Sequence, residues 1–463
     1  MTSTIDHVDM NLPAAFVWDY DDRRPRLTKL YEKSKVSQWN ATTDIDWSIE
    51  VDPGAANDSD PRFAGIDWGQ SVGDDPVRAF MHQSPENLRE FVLHDHAWLL
   101  SQFMHGEQGA LVATAKITAA AENIDDKYYA AAQVGDEARH VEVYQRYLRE
   151  KVGLEYPIGS SLHSLLDDVM AHPHVDLTFL GMQILVEGVA LAAFSMGEAM
   201  FGNPVIARIT DLVRRDEARH VAFGVLSLQG LYDDMDPVDL AEREEFVLEA
   251  CALMRDRFMP QQVWENFGLD VEAATKSFLT SSDMAAFRSL MFSKVVPNLR
   301  KLGLLTPRVR KGFEQMGILR YERYVDSATE AGELEPDERD TLDDPLSALR
   351  ASLGDVMEIA PEPVLMVLAG LADGERLRGV EPATIRLDVG NVDAGDWRLA
   401  ISADGVDYAP TAPTDRFDVT VRMDVAAWTD IVTGRVTPTA ALIDGRVVIE
   451  GDITKALALD ALL

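Results

Sequence analysis

The pentapeptide Asp136-Glu137-Ala138-Arg139-His140 returns unchanged as Asp216-Glu217-Ala218-Arg219-His220, 80 residues further along the chain. A second carboxylate precedes each copy at one distance: Glu107 stands 30 residues before Glu137, and Glu187 stands 30 before Glu217. The flanks agree too, Glu107-Gln108-Gly109-Ala110-Leu111 against Glu187-Gly188-Val189-Ala190-Leu191. We read two copies of one helical hairpin. Residues equidistant from a hairpin turn lie level with each other, and the midpoint between Glu187 and Glu217 is Gly202, directly before Asn203-Pro204, a turn signal. The midpoint of the first copy is Glu122, in a polar stretch that can also turn. About fifteen residues of helix on each side place the paired acids roughly 22 Å from each turn.

Within each pentapeptide, Glu and His are three apart and share a helix face. Glu107 has Phe103, Met104, Ala110 and Leu111 as helical neighbours, and Glu187 has Ile184, Ala190 and Leu191, so both acids sit in apolar stripes. Four inward glutamates and two imidazoles cannot stay charged and dry alone; two divalent cations would neutralise them. Oxygen-rich ligands with one imidazole per cation suit iron or manganese better than zinc. A lone Glu-x-x-His reads as a solvated acid and base pair, but duplication with matched partner acids favours a metal site.

These residues resemble the ferritin-like di-iron carboxylate superfamily, in the branch of ribonucleotide reductase small subunits and bacterial multicomponent monooxygenase hydroxylases; the likeness covers about residues 85–320. It implies that Glu107, Glu137, His140, Glu187, Glu217 and His220 are metal ligands, with Glu137 and Glu217 bridging. It implies two iron ions, with Fe/Mn or Mn/Mn as variants, and O2 as co-substrate. Asp136 and Asp216 match carboxylates that hold a ligating imidazole through its other nitrogen. Arg139 and Arg219 are expected to pair with buried acids. Tyr144, one turn after His140, occupies the place of the radical tyrosine in the reductase subunits and is the candidate catalytic residue. Two positions depart from the likeness. Leu191 stands where the hydroxylases carry a threonine. Val213 stands where arylamine N-oxygenases of the superfamily add a histidine, which counts against N-oxygenation.

The chain of 463 residues carries 78 acids against 43 bases, a formal charge of −35 that disfavours nucleic acid and anionic lipid surfaces as partners. The single cysteine, Cys251, permits no intrachain disulfide and fits a reducing cytoplasm. The longest apolar stretch, around residues 188–194, reads as too short for stable membrane insertion. His94, His96, His105, His172 and His174 lack partner spacing and read as surface or structural.

The expected fold is mainly α: residues 1–84 an irregular arm packing on the bundle, with exposed aromatics Trp18, Tyr20, Trp39 and Trp47; residues 85–324 a ferritin-like helix bundle; residues 325–344, with nine acids and one base, a solvated linker; and residues 345–463 a smaller α+β domain. In that last domain the pattern predicts helices over 345–357 and 361–371. Strands are expected over 384–389, 397–402, 417–423 and 447–450, with helices capped by Asp424 and Asp452. Its turns and apolar positions resemble a sterol carrier protein type 2 domain, which implies a hydrophobic tunnel for sterols, fatty acids or acyl thioesters. Val419, Val421, Leu442, Val448 and Ile449 have the phase of its core.

Together these features predict an O2-dependent di-iron oxidoreductase, a hydroxylase, desaturase or related oxidase, acting on a hydrophobic or acyl-type substrate, with Phe103, Leu111, Ile184 and Leu191 lining its pocket. Electrons are expected from a separate reductase or ferredoxin, since no flavin or iron–sulfur motif is visible, and a homodimer is compatible with the sequence. The alternative is a ferroxidase or iron-handling bundle with a fused lipid-binding module.

Overall fold

The computed structural model describes residues 7–8, 14–21, 23–55, 75–195, 203–280, 288, 291–334, 359–371, 381–390, 395–402, 405–433 and 435–460. The chain divides into two compact units, Met1–Ser281 with Phe287–Glu335, and Pro336–Leu463 with Ser282–Ala286.

The first unit is a helix bundle. Helices α1 (Pro25–Val36) and α2 (Pro76–Met81) precede the first long hairpin, α3 (Pro85–Ala120) and α4 (Ile124–Tyr147). Ser84 starts α3 by accepting the Asn87 N–H, with Pro85 at the first helical position, and Asn123 starts α4 by accepting the Asp126 N–H. After α5 (Ser160–Ala171), the second hairpin begins with α6 (Val175–Phe179), widens into a π-helical stretch over Leu180–Val186, and continues as α7 (Glu187–Ser195). Its return limb is α8 (Pro204–Leu228), capped by Asn203, whose side chain accepts the Ile206 N–H. Glu107 lies 13 residues before the end of α3, Glu137 lies 13 after the start of α4, and Glu217 lies 13 after the start of α8. The acids are therefore level along their helices, as the repeat requires. The expected turn at Gly202 lies outside the described residues.

Two glycines let the π-helical stretch pack tightly. A Cβ on Gly224 of α8 would fall 2.6 Å from Gln183 Cβ, and one on Gly181 would fall 2.5 Å from Val169 Cγ2. Only hydrogen fits at either point. Helix α9 (Pro237–Asp256) follows, with Arg257 as its last cap.

Four expectations need correction here. The arm is not irregular throughout: α1 and α2 each begin at a proline, a residue tolerated at the first turn because it lacks a donor there. Trp39 is buried, whereas Trp18 and Tyr20 are exposed. The start of the acidic stretch is not solvated, since Asp326 and Glu333 are buried; Asp326 caps a short helix, α10 (Ser327–Glu330), and Glu333 pairs with Lys33 of α1. The apolar stretch is also longer than expected: Val175–Phe194 is one helical run apolar enough to cross a bilayer by length and composition, with 94% of its window buried inside the protein. The packing of this run as the core helix of the bundle explains its hydropathy.

Among the described residues, the second unit holds helix α11 (Pro361–Leu371), five strands and three further helices. The strands are β1 (Ala383–Gly390), β2 (Asp396–Ser402), β3 (Gly405–Pro410), β4 (Val419–Asp424) and β5 (Val447–Gly451), in the order β3-β2-β1-β4-β5. β1 runs parallel to β4 and the other neighbours are antiparallel. Alternate residues Ile385, Leu387 and Val389 of β1 and Val419, Val421 and Met423 of β4 face one core with Trp397, Leu399 and Ile401. Asp424 caps α12 (Val425–Val432) and Asp452 caps α14 (Ile453–Asp460), as expected, with α13 (Pro438–Ile443) between. β3 escaped the sequence reading because its half-exposed residues show no alternation. Val448 corrects another expectation. It is 47% exposed, because it pairs with Arg422 on the outward face while Val447 turns inward. The helix expected over 345–357 lies outside the described residues.

Candidate metal centre

Glu107 comes from α3, Glu137 and His140 from α4, Glu187 from the start of α7, and Glu217 and His220 from α8. All six are at most 5% exposed. They fall into two groups, Glu107, Glu137, His140 and Glu217, and Glu137, Glu187 and His220, in each of which one ligand atom per residue lies within 4.8 Å of the others. Glu137 belongs to both. Its Oε2 lies 3.3 Å from His140 Nδ1 and its Oε1 lies 3.1 Å from His220 Nδ1. Glu217 likewise reaches both rings, with Oε1 at 3.3 Å from His140 Nδ1 and Oε2 at 3.7 Å from His220 Nδ1. Each of these two carboxylates thus offers one oxygen to either half.

The aspartates act across the pseudo-twofold rather than within their own repeat. Asp216 Oδ2 lies 3.1 Å from His140 Nε2, and Asp136 Oδ2 lies 3.3 Å from His220 Nε2. A proton held on each Nε2 leaves the Nδ1 lone pair facing the glutamates. The aspartates are themselves held. Arg139 donates to Asp136 at 2.6 Å and to Asp216 at 3.0 Å, and Arg219 donates to Asp216. From the arm, Gln38 donates to Asp136 at 2.9 Å and Trp39 Nε1 to Asp216 at 2.7 Å. The Trp39 ring stacks on His140, with centroids 6.3 Å apart, while the Arg139 guanidinium lies 4.8 Å from the Trp39 ring centroid as a cation–π partner.

Gln38, Trp39 and Gln133 are site residues that sequence reasoning missed. Gln133, one turn before Glu137, donates from Nε2 to Glu137 Oε1 and to Glu187 Oε1, both at 2.9 Å. The i−4 spacing to Glu137 was a readable signal, whereas nothing in sequence ties residues 38 and 39 to the repeat.

Burial and like-charge neighbours raise Glu107 to about 8, and the same causes hold Glu187 well above the carboxylate range. Burial opposes ionisation of the imidazoles, but Glu107, Asp216 and Glu137 around His140, and Glu137 and Asp136 around His220, outweigh it and raise both rings. For Glu137 burial is likewise outweighed, here by the two imidazoles, and its carboxyl is lowered. Acid and base thus share protons in a dry cluster. Several atoms find no hydrogen-bond partner among the described residues even so: Glu137 Oε2, Glu187 Oε2, both carboxylate oxygens of Glu217, and His220 Nδ1. Orphaned acceptors converging at this depth are the donor set of hard to borderline divalent cations, and the residues fit a pair of iron or manganese ions.

Tyr144 is fully buried within electrostatic reach of Glu107, His140 and Glu217, and its hydroxyl has no hydrogen-bond partner among the described residues. Its ring packs with Phe103 and Phe194, at centroid distances of 6.2 and 6.0 Å. Ile184 and Leu191 are buried, while Leu111 is only half-buried, so it is the weakest of the four expected lining residues. His94, His96 and His105 are tied to Tyr156 and to the Pro53 and Tyr156 carbonyls, which are structural roles. His172 and His174 lie by Glu242, outside the cluster.

Residues 20–303 match the family model described as p-aminobenzoate N-oxygenase AurF, and residues 367–463 match that of the SCP-2 sterol transfer family. No curated protein matches the chain. Among solved structures, a Val-to-Leu variant of an R2-like ligand-binding oxidase with anaerobically reconstituted Mn/Fe cofactor shows 18% identity, covering 61% of this chain and 94% of that one at a TM-score of 0.36. An R2-like ligand-binding oxidase with aerobically reconstituted metal cofactor after photoconversion shows 18% identity, covering 64% and 93% at a TM-score of 0.31.

Proposed function

Because this chain belongs to the p-aminobenzoate N-oxygenase AurF family, and is on that ground a non-haem di-iron oxidase, we propose that it is an O2-dependent hydroxylase, desaturase or related oxidase of a hydrophobic or acyl-type substrate. Val213 replaces the added histidine of arylamine N-oxygenases, so the reading does not extend to N-oxygenation. The observation that carries it is the convergence of Glu107, Glu137, His140, Glu187, Glu217 and His220, buried and with orphaned oxygens, into two groups sharing Glu137. In this reading those six would hold the metal pair, Glu137 and Glu217 each reaching both halves with one oxygen.

Bound there, two iron ions or an iron–manganese pair supply reduction of O2 and the oxidising power for the substrate. The chain supplies the rest. Asp136 and Asp216 keep the Nε2 protons of His220 and His140 and so fix the tautomer of each ring. Phe103, Ile184 and Leu191, with Leu111 at the margin, exclude water from the pocket. In this reading Tyr144, whose hydroxyl has no hydrogen-bond partner among the described residues, gives a proton and an electron to the centre. The C-terminal unit, from its sterol-transfer family match, binds the apolar substrate class on the same chain. Electrons arrive from a separate reductase or ferredoxin.

Metal analysis of the natively purified chain, with mass spectrometry of co-purifying lipid, tests both units. The expected result is about two iron or manganese ions per chain and an apolar or acyl ligand. Glu137→Ala and Glu217→Ala should each lose most of the metal; variants that load as the parent does would sink the assignment.

A further inference from the structure

His172-Pro173-His174 lies between α5 and α6, outside the metal centre, and its two rings have no part in the oxidase reading. His172 ends α5 and His174 begins α6, both in extended backbone, the conformation a following proline imposes on His172. Their ring centroids are 5.7 Å apart. Glu242 of α9 reaches both: its Oε1 lies 3.7 Å from His172 Nε2, and its Oε2 lies 4.0 Å from His174 Nε2. Both separations are too long for hydrogen bonds. They approach what a shared tetrahedral zinc requires, since ligand atoms about 2.1 Å from the ion stand about 3.4 Å apart, with two ring centres about 5 Å apart. The side chains of His174 and Glu242 are 51% and 44% exposed, so either can swing in to close the difference.

The surroundings suit a cation. Burial holds the His172 imidazole below its usual value, toward the neutral ring that ligates metal and away from an ion pair with Glu242. Asp168 and Asp176 act on His172 with Glu242, against the bases Arg243 and Lys116, so the local balance is negative. Arg243 donates to Glu242 Oε2 at 2.6 Å while its other two nitrogens hold Asp176. Glu242 Oε1 and the second lone pair of Oε2 stay open to an ion. We propose that His172, His174 and Glu242 bind one zinc ion, with water as the fourth ligand, tying the α5–α6 turn to α9. Zinc on His172 Nε2 moves the ring proton to Nδ1 and gives up only a long contact, 3.4 Å, from the His174 N–H. Two imidazoles and one carboxylate suit zinc, whereas the oxygen-rich centre suits iron or manganese. This site goes beyond the oxidase reading and does not depend on it.

The test titrates Zn(II) into the full chain, loaded with iron and oxidised in air, and follows it by metal analysis. The parent is expected to take up about one zinc per chain more than the double variant His172→Ala/His174→Ala, with equal iron in both. Glu242→Gln, which leaves both rings in place, should lose that extra zinc too. Zinc should raise the Tm of the parent and not that of the variants, because only a folded chain that holds the ion is stabilised by it. Matching Tm values without zinc show that the variants are folded. Mg(II), which prefers oxygen ligands, should bind parent and double variant alike. Equal zinc uptake by parent and variants, or a Tm rise common to all of them, overturns the proposal. A chain that takes no iron fails the oxidase reading instead, and the zinc difference between parent and variants still decides this one.

Discussion

At the scale of single residues, the repeat makes its own exceptions visible. Gln133 and Val213 occupy equivalent places, one turn before Glu137 and Glu217, yet only Gln133 donates to two carboxylates. The halves are thereby unequal. Gln133 draws Glu137 and Glu187 together against their mutual repulsion, in the group that offers three ligand residues instead of four. Gln133→Leu is expected to weaken the looser of two Mn(II) binding steps by about 10- to 100-fold, the usual cost of losing a partner of a metal ligand, and to leave the tighter step in place. Calorimetric titration of the metal-free chain resolves this, and an equal shift of both steps would count against it. The six candidate ligand residues were legible in sequence because Glu-x-x-His and its matched acid recur at fixed spacing. Gln38 and Trp39 were not, since a contact across about a hundred residues or more leaves no periodic trace.

At the scale of elements, the hairpins were legible and their irregularity was not. Level placement of Glu107, Glu137 and Glu217 follows from helix rise and turn position alone. The π-helical stretch over Leu180–Val186, which sets the phase of Glu187, depends on what packs beside it. Where α4 carries Tyr144 one turn after its histidine, α8 carries Gly224, and the missing side chain admits Gln183 and Ile184. Gly224→Ala must displace the Gln183 backbone position, because a Cβ cannot rotate away. We expect a loss of about 1–3 kcal/mol, the usual cost of overpacking a core, together with weaker metal loading through a shifted Glu187. Chemical denaturation and metal analysis measure the two, and a variant as stable as the parent would argue against tight packing at this crossing.

At the scale of the whole molecule, the acid cluster links folding to metal and to pH. In the metal-free chain Glu107 is raised from 4.5 to about 8, and Glu187 shifts the same way. Between those values the folded chain holds protons that the unfolded chain has lost, so stability falls as pH rises through the window. The raised imidazoles of His140 and His220 add to the fall. Cations take the place of those protons and remove it. The Tm of the metal-free chain should therefore drop between about pH 5 and about pH 8, while that of the Mn(II)-loaded chain should not; a metal-free Tm that climbs over this range would contradict the cluster's electrostatics.

The amino-acid order alone determined the class of the fold, the duplicated hairpin, the six ligand candidates and the sterol-carrier-type second unit, because each is written in local periodicity or in a spacing that helix geometry converts directly into position. Tertiary structure alone decided which aspartate serves which imidazole, that α1 and Trp39 close over the centre, and that Gln133 makes its halves unequal. Those outcomes depend on which faces of distant segments meet once the apolar stripes are buried, and burial strengthens every charge interaction among the groups it brings together.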